Sequence, residues 1–271
     1  MMKTPDISVV TPCFNGGRFL EETVASVCSQ RSAGLDVEYI VIDGGSTDNS
    51  HEILRRYETE IDTVVIEPDH GPANAINKGL RLANAPLLAW LGCDDLYRPG
   101  ALLRVQEFMR QRPEKALCFG GCLIIDEQGR EIRQGITRFK EFFFPLSSRF
   151  TVQCINYVSQ PAMFFRKNAF ERAGLLREDL LAAWDYDFIL RLWRQGGAAR
   201  IPGPPLSSFR WHDTSISGSG FTTQFREEWQ AAAADAGRFS PQTLAHLFVW
   251  WGIVAIYSLM AKKRQGTVRP L

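Results

Sequence analysis

The chain has 271 residues, of which 45% are hydrophobic and 23% are charged. This balance is typical of a folded globular protein and excludes a disordered chain. Because 31 basic residues are matched by 30 acidic ones, no overall basic field exists to attract nucleic acid. We therefore expect no nucleic-acid partner, and any phosphate site must be built locally.

The six cysteines do not indicate a zinc site or a redox motif. None lies in a Cys-x-x-Cys pair, and the close pair Cys118 and Cys122 has no second half in the sequence. The first ten residues contain one lysine and a strand-like run, without the apolar core of a signal peptide. These features predict a cytoplasmic protein whose thiols are reduced.

The first 95 residues alternate between short apolar runs and segments with helical spacing. The apolar runs predict strands at 7–10, 39–42, 63–66 and 87–91. Helices are expected to begin near residues 19, 50 and 73. This alternation predicts an α/β fold with a mostly parallel sheet, flanked by helices and joined by right-handed crossovers.

A polar or glycine-rich loop follows each of these predicted strands. The loops lie at 14–17, 43–48, 67–72 and 93–95. In an open parallel sheet, ligands bind outside the carboxyl ends of the strands. We therefore expect one edge of the sheet to collect these polar groups.

The second half of the chain has weaker patterns. Segments expected to be regular are a helix from 101 to about 112, strands at 116–119 and 162–165, and helices at 168–173 and 185–192. Residues 126–129 predict a hairpin turn. Residues 138–160 are rich in aromatic side chains and are predicted to be irregular.

Asp94 and Asp95 end the fourth predicted strand. Two adjacent carboxylates repel each other unless a cation or hydrogen-bond donors share the charge. Oxygen ligands with open positions suit Mg²⁺ or Mn²⁺, which would also bridge a diphosphate. The alternative is that the pair caps the next helix, although one aspartate would be enough for that.

Asp43 and Phe14 are candidates for contacts to a base or ribose. The glycines after Asp43 allow the backbone to approach a ligand closely, and its carboxylate can accept hydrogen bonds. The alternative is a tight turn with a helix cap, which suits Asp48 better because Asp43 ends a buried strand. Phe14 offers a ring on which a base could stack.

Four runs, in this order, resemble the family-2 glycosyltransferases with a GT-A fold: VVTPCFN at 9–15, VIDGGSTD at 41–48, EPDHGPANAINKG at 67–79 and LGCDDLYRPG at 91–100. The resemblance implies a Rossmann-like sheet and inverting transfer of a sugar from a nucleotide-diphosphate donor. We expect a UDP-sugar donor and a hydroxyl acceptor in the assembly of a cell-surface polysaccharide or glycolipid.

The resemblance also implies which residues bind the nucleotide sugar: Pro12, Phe14, Asn15, Asp43, Asp94 and Asp95. Asp95 is the expected ligand of Mn²⁺ or Mg²⁺, and Asp94 the expected contact to ribose. The chain departs from the family at Phe14, where many members have tyrosine. It also has Gly44 where many have a second acid that contacts the base, so the identity of the base stays open.

Inverting transfer is an in-line displacement at the anomeric carbon. It requires a base that takes the proton of the acceptor hydroxyl on the face opposite the leaving diphosphate. The run AWDYDFILRL at 183–192 resembles the family's acidic-Asp-Tyr-Asp helix start, with Trp184 in place of the usual glutamate. This match makes Asp185 the expected catalytic base, the alternative being a helix cap. Asp187 is expected to pair with Arg191.

Two further segments match the family. The run SQPAMFFR at 159–166 would line the acceptor side, where Gln160 and Trp184 are the expected contacts. The run FRWHDTSIS at 209–217 contains His212, which could reach the diphosphate or the metal. The alternative is that His212 has a structural role beside Trp211.

By this interpretation the chain divides into three parts: a nucleotide-sugar-binding half (1–125), a half with the acceptor site and catalytic base (126–220), and C-terminal helices (221–271). Residues 244–261 carry no charge and precede the basic run at 262–264. We predict an interfacial helix at the cytoplasmic face of the membrane, where a lipid-linked acceptor would lie. The alternatives are a core helix and a helix that packs in a homo-oligomer.

Two other functions stay open. A sugar-phosphate nucleotidyltransferase also uses a nucleotide-binding sheet and Mg²⁺, but Glu21 and Glu22 stand where its triphosphate needs basic residues. A non-catalytic scaffold is favoured by Gly44 and Trp184. A scaffold, however, has no physical need for four converging carboxylates.

Overall fold

The computed structural model describes residues 4–213, 221–249 and 251–252. Its strands are β1 (Ile7–Cys13), β2 (Val37–Asp43), β3 (Thr63–Ile66), β4 (Leu87–Trp90), β5 (Leu96–Tyr97), β6 (Leu117–Phe119), β7 (Cys122–Ile125), β8 (Met163–Arg166), β9 (Ala198–Arg200) and β10 (Ser207–Arg210). They form a seven-stranded sheet and a three-stranded sheet.

Helices cover the sheets and connect their strands. The α-helices are α1 (Leu20–Cys28), α2 (Ser50–Arg56), α3 (Pro72–Leu82), α4 (Ala101–Arg110), α5 (Gln134–Phe142), α6 (Arg149–Cys154), α7 (Lys167–Ala173), α8 (Trp184–Trp193) and α9 (Phe221–Ala236). Residues 241–249 are also helical.

The large sheet has the strand order β3-β2-β1-β4-β8-β6-β9. β1 pairs in parallel with both β2 and β4, and β3 pairs in parallel with β2. The predicted parallel α/β arrangement of the first half is therefore confirmed. Because β2, β1 and β4 are neighbours, the loops that follow them lie side by side.

The second half of the chain extends the same sheet. β8 lies antiparallel between β4 and β6, and β9 runs parallel to β6. The sheet therefore draws strands from both sides of the division placed at residue 125, which stays a prediction.

The expectation that residues 138–160 are irregular is wrong. They contribute to α5 and α6, and the side chain of Ser148 caps α6 by accepting a hydrogen bond from the Thr151 amide. Phe144 and Tyr157 of this segment serve as core contacts: the ring of Phe119 packs against Phe144 at 5.4 Å and Tyr157 at 5.8 Å. Tertiary packing, rather than a regular sequence period, therefore organises this segment.

Alternating residues of the central strands bury their side chains on opposite faces of the sheet. Val10 and Ile42 belong to one buried cluster, and Val9 and Val41 to the other. On the first face α3 packs closely, since a Cβ built at Gly79 would lie 2.3 Å from Cγ1 of Val10.

The small sheet, of order β5-β10-β7, joins distant parts of the chain. β10 pairs antiparallel with β5, so that Ser207 faces Tyr97 and Ser208 faces Leu96. Continuing this register brings Arg210 level with Asp94. The late segment around residue 210 is thereby fixed beside the loop that follows β4.

None of the helices in the described ranges has both the length and the apolar character needed to cross a membrane. Residue 250 and residues 253–271 lie outside these ranges. The interfacial helix expected at 244–261 falls largely on those residues and stays a prediction.

Candidate active site

The loops after β1 and β2 are tied together by hydrogen bonds. The amide of Asn15 donates to Oγ of Ser46 at 2.7 Å, and the amide of Thr47 donates to Oδ1 of Asn15 at 2.8 Å. Asn15 adopts a φ of 51°, a conformation that asparagine tolerates better than most residues. Its side chain therefore holds the shape of the two loops.

Phe14 and Pro12 lie at the carboxyl end of β1. The ring of Phe14 is 63% exposed, so a flat ligand group can stack on it. Pro12 pairs in register with Ile42 of β2, and the next pair is Cys13 with Asp43. The structure therefore places Pro12, Phe14 and Asp43 at one edge of the sheet.

The Asp43 side chain is fully buried at the end of β2. Its Oδ1 accepts hydrogen bonds from the amides of Gly45 and Ser46 and lies 3.1 Å from Nε2 of His51. Burial raises the pKa of Asp43, but hydrogen bonds from Ser46, His51 and Gly45 outweigh it, and the pKa lies below its ordinary value. Within the described residues, the buried Oδ2 has no hydrogen-bond partner, which leaves it available to a ligand.

Steric crowding explains why position 44 is occupied by glycine. A Cβ built at Gly44 would lie 2.4 Å from Oδ2 of Asp69, in the loop after β3. The other oxygen of Asp69 accepts a hydrogen bond from the Gly71 amide at 2.8 Å. The space beside Gly44 is therefore already occupied by a carboxylate from a different loop.

The acid pair lies in the turn between β4 and β5. Oδ1 of Asp95 accepts a hydrogen bond from the amide of Arg210 at 2.9 Å, and the side chain is only 3% exposed. Burial, and then repulsion from Asp94, raises the pKa of Asp95 well above its ordinary value, against the opposing effect of Arg210. A nearby cation would relieve both effects.

His212 lies beside Asp94, with its Nε2 2.9 Å from Oδ2 of the carboxylate. A Cβ built at Gly92 would lie 2.8 Å from Oδ1 of Asp94 and 3.1 Å from Oδ2 of Asp95. The two carboxylates therefore converge on one side of Gly92. The structure thus places His212, a candidate for contact with the diphosphate or the metal, beside the acid pair.

This donor set fits Mn²⁺ or Mg²⁺ in part. Carboxylate oxygens suit both ions, and an imidazole nitrogen suits Mn²⁺ as well. Over the described ranges, however, no group of three or more histidine, cysteine or acidic side chains has the arrangement of a complete metal site. A metal held here would need further ligands, which the oxygens of a diphosphate can supply.

Trp90, at the end of β4, connects the acid pair to the predicted base. Its ring lies 6.0 Å from that of Trp184, at the start of α8, and its carbonyl accepts a hydrogen bond from Nε2 of Gln160 at 2.7 Å. The indole nitrogen of Trp184 is buried without a hydrogen-bond partner among the described residues. Gln160 and Trp184 are therefore both grouped around Trp90.

Asp185 lies at the second position of α8, where its Oδ1 accepts a hydrogen bond from the Tyr186 amide at 2.7 Å. Burial raises the pKa of Asp185 to about 6, although this hydrogen bond and the charge of Lys140 lower it. A carboxylate with such a pKa is suited to accept a proton near neutral pH. Asp187 instead pairs with Arg191 at 2.8 Å, as the sequence predicted.

Arg210 is the residue that sequence reasoning missed. Its side chain is fully buried and donates to the carbonyl of Asp94 at 3.0 Å and to Glu22 at 2.7 Å. It also lies 4.6 Å from the ring centre of Phe19. The alternation of side chains along a strand could have identified Arg210, because residues 210 and 212 share a face of the same extended segment.

Two relatives show what the chain is similar to. It is 35% identical over 128 residues to a putative teichuronic acid biosynthesis glycosyltransferase of Bacillus subtilis, covering 46% of this chain and 50% of that protein. It is 27% identical over 192 residues to a PGL/p-HBAD biosynthesis glycosyltransferase of Mycobacterium bovis, covering 69% and 70%. The chain thus spans half the length of the first relative.

Two solved structures share the fold. Staphylococcus aureus TarS 1–349, in complex with UDP-GlcNAc, has a TM-score of 0.67 at 16% identity, covering 87% of this chain and 67% of that one. A mannosyltransferase of Pyrobaculum calidifontis, in complex with GDP-Man and Mn²⁺, has a TM-score of 0.65 at 17% identity, covering 96% and 81%. The predicted GT-A-type fold is confirmed.

The family assignment follows from the matched region. Residues 8–174 match the model of glycosyl transferase family 2. This region contains the four strand-end loops, the acid pair and Gln160, and ends directly after α7, so that α8 and Asp185 lie outside it. The chain therefore belongs to glycosyl transferase family 2.

Proposed function

We propose that the protein is an inverting glycosyltransferase that moves a sugar from a nucleoside diphosphate to a hydroxyl acceptor. The observation that supports this most is one contact: Trp90 joins the loop of the acid pair to the helix start that bears Asp185. A donor site and a proton acceptor on one sheet edge are what an in-line transfer requires.

The donor would lie across the loops after β1, β2 and β4. Phe14 would stack on the base, and the buried Oδ2 of Asp43 would accept a hydrogen bond from the base or ribose. Asp94 is the proposed ribose contact. UDP is our first candidate for the nucleotide, because TarS is solved with UDP-GlcNAc and shares this fold.

Asp95 is the proposed ligand of Mn²⁺ or Mg²⁺, with Asp94 and His212 beside it. The bound metal would neutralise charge on the departing diphosphate. The Mn²⁺ complex of the mannosyltransferase from Pyrobaculum calidifontis, which shares this fold, supports the choice of a divalent metal. The buried Arg210 would hold the acid pair in place.

Asp185 is the proposed catalytic base. Its carboxylate would take the proton of the acceptor hydroxyl while the hydroxyl oxygen bonds to the anomeric carbon. The bond from that carbon to the diphosphate breaks on the opposite face, which inverts the configuration. Gln160 and Trp184 are the proposed contacts on the acceptor side.

A screen of nucleotide sugars with Mn²⁺ or Mg²⁺, with release of the nucleoside diphosphate as readout, tests this function. We expect Asp185→Asn and Asp95→Asn to abolish turnover. Asp179→Asn is the matched control, because Asp179 forms an exposed ion pair with Arg177 and should leave turnover unchanged. Normal turnover in Asp185→Asn would contradict the assignment of the base.

We further propose that the acceptor belongs to a cell-surface polysaccharide or glycolipid and that the protein works at the cytoplasmic face of the membrane. Two relatives named for teichuronic acid and PGL/p-HBAD biosynthesis support the first part. The side chains of Phe248 and Trp251, 75% and 66% exposed, support the second. Co-sedimentation of the full-length chain with anionic vesicles tests the membrane contact, and complete recovery in the supernatant would rule it out.

A further inference from the structure

Two consecutive glutamates of α9, Glu227 and Glu228, are buried against the half of the protein that bears Asp185. Each is only 5% exposed. Burying a carboxylate is costly unless hydrogen bonds compensate for its lost hydration. The partners of these side chains therefore indicate what α9 contributes to the molecule.

The carboxylate of Glu227 accepts hydrogen bonds from three successive backbone amides. The amide of Leu181 lies 3.1 Å from both oxygens, and the amides of Ala182 and Ala183 lie 2.9 Å and 3.1 Å from Oε2. Successive amides that point at one anion form a concave anion-binding arrangement. Here the anion is supplied by a helix that lies more than 40 residues later in the sequence.

The segment held by Glu227 leads directly into the catalytic helix. Ala183 is the residue before α8, and its carbonyl accepts the hydrogen bond from the Asp187 amide at 3.0 Å. Ala183 is therefore fixed on one side by Glu227 and on the other by the first turn of α8. Asp185 lies between these two points. The side chain of Leu181 is 70% exposed, so the backbone contacts hold that end of the segment.

We propose that Glu227 is a positioning residue, which fixes the start of α8 and thereby the Asp185 carboxylate in the geometry for proton transfer. This inference rests on the proposed function, since it takes Asp185 as the base. It assigns to α9 a role in the reaction, whereas the sequence predicted for residues 221–271 only C-terminal helices with a membrane-facing segment.

Asp235 provides a matched control on the same helix. Its carboxylate is also buried, and it pairs with Arg149 at 3.2 Å and with Arg194 at 2.5 Å. These contacts anchor the far end of α9 to α6 and to the residue after α8, away from residues 181–183. Loss of Asp235 should weaken the packing of α9 without disturbing the start of α8.

The first test measures amide hydrogen exchange in the full-length chain. In Glu227→Ala, exchange at residues 181–183 should rise about tenfold or more, because all four hydrogen bonds are lost. Glu227→Gln keeps an oxygen for Ala182 and Ala183 and should give a smaller rise. Asp235→Asn should leave exchange at 181–183 unchanged. Unchanged exchange in both Glu227 variants would overturn the inference.

The second test measures turnover of the donor that the nucleotide-sugar screen identifies. In Glu227→Ala, kcat should fall about 100-fold, the effect of misplacing a reacting group by about 1 Å, while KM for the donor stays within about twofold. Glu227→Gln should fold even if the alanine variant does not, and its kcat should fall by a smaller factor. A merely structural role would instead lower kcat equally in Asp235→Asn.

The outcomes separate this inference from the proposed function. If Asp185→Asn keeps its turnover, the proposed base is wrong and the role of Glu227 falls with it. If Asp185→Asn is inactive while both Glu227 variants turn over normally, only the positioning role is wrong.

Discussion

Asp43 and Asp185 are the same residue type in two different environments, which suit the two roles proposed for them. Asp43 is fully buried and Asp185 is half-buried, and burial raises the pKa of each carboxyl group. Asp43 receives enough hydrogen bonds to bring its pKa below the ordinary value, so it stays ionised, as its proposed binding role requires. Asp185 receives few, and its pKa is about 6. Such divergence within one site is typical of separate binding and acid–base roles.

The rate of transfer should depend on pH through Asp185. A base is active only when it is ionised, so kcat/KM should fall about tenfold per pH unit below about pH 6. Two charged groups act on this carboxyl, Lys140 of α5 and Glu228 of α9. Burial raises the pKa of Glu228 itself to about 7. Lys140→Met removes a cation and should move the acidic limb to higher pH. A limb that does not move in Lys140→Met would contradict this account.

The same burial predicts a stability effect with the opposite sign to the effect on activity. Because the pKa of Asp185 is higher in the folded chain than in the unfolded one, its ionisation destabilises the fold as pH rises from about 4 to above 6. Asp185→Asn should therefore raise Tm at pH 8 while abolishing turnover. Near pH 4 the variant and the wild type should melt together. Differential scanning calorimetry at both pH values checks this.

Arg210 should contribute far more to stability than an exposed arginine near it. Arg210→Ala leaves the carbonyls of Asp94 and Asp126 without this donor and removes a buried side chain. We expect a loss of about 3 kcal/mol in the free energy of unfolding, and weaker donor binding. The control is Arg18→Ala, whose exposed pair with Glu127 should contribute less than about 1 kcal/mol. Equal losses in urea denaturation would show that the burial of Arg210 does not matter.

At the scale of elements, the contact of α3 with β1 depends on Gly79. An alanine Cβ there would lie 2.3 Å from Cγ1 of Val10, so helix and strand must move apart. We expect Gly79→Ala to cost about 1–3 kcal/mol of unfolding free energy.

Gly135 in α5 is the matched control for Gly79, because a Cβ built there meets no atom within 4 Å. Gly135→Ala should stabilise the protein by up to about 1 kcal/mol, since alanine favours the helix. If both substitutions destabilised the protein in urea denaturation, close packing would not explain the effect at Gly79.

The elements that the sequence predicted well are those with a clear local pattern of apolar residues. β1 and β2 are almost continuously buried apolar runs, and α3 carries buried residues at helix spacing. β5 has only two residues and forms because β10 pairs with it. No local pattern encodes such a strand. Residues 138–160 were misjudged for a related reason, because Phe144 and Tyr157 of this segment pack on the distant Phe119.

Across the whole molecule, the donor side of the site could be predicted because each part follows a strand of one parallel sheet. The order of β2, β1 and β4 then places Asp43, Phe14 and the acid pair together. The residues that hold the candidate site in place could not be predicted in this way. Arg210 reaches Asp94 and Glu227 reaches Ala183 only through tertiary pairing across long stretches of chain. In the sequence, the sign of such a supporting residue is a charged side chain inside a predicted strand or helix.

Global stability should report donor binding independently of catalysis. UDP with Mn²⁺ at about 100 times its Kd should stabilise the fold by about 2.7 kcal/mol, which raises Tm by about 5–10 °C. The contribution of the metal should disappear with a chelator. Asp95→Asn keeps an oxygen for the Arg210 amide, so it should fold but lose the shift.

Asp185→Asn should keep the full shift with UDP and Mn²⁺, because Asp185 belongs to the acceptor side of the site. GDP in place of UDP tests the identity of the base. An equal shift with GDP would argue against UDP as the specific donor nucleotide. Loss of the shift in Asp185→Asn would contradict the separation of a donor side, built from the strand-end loops, from an acceptor side held by α8 and α9.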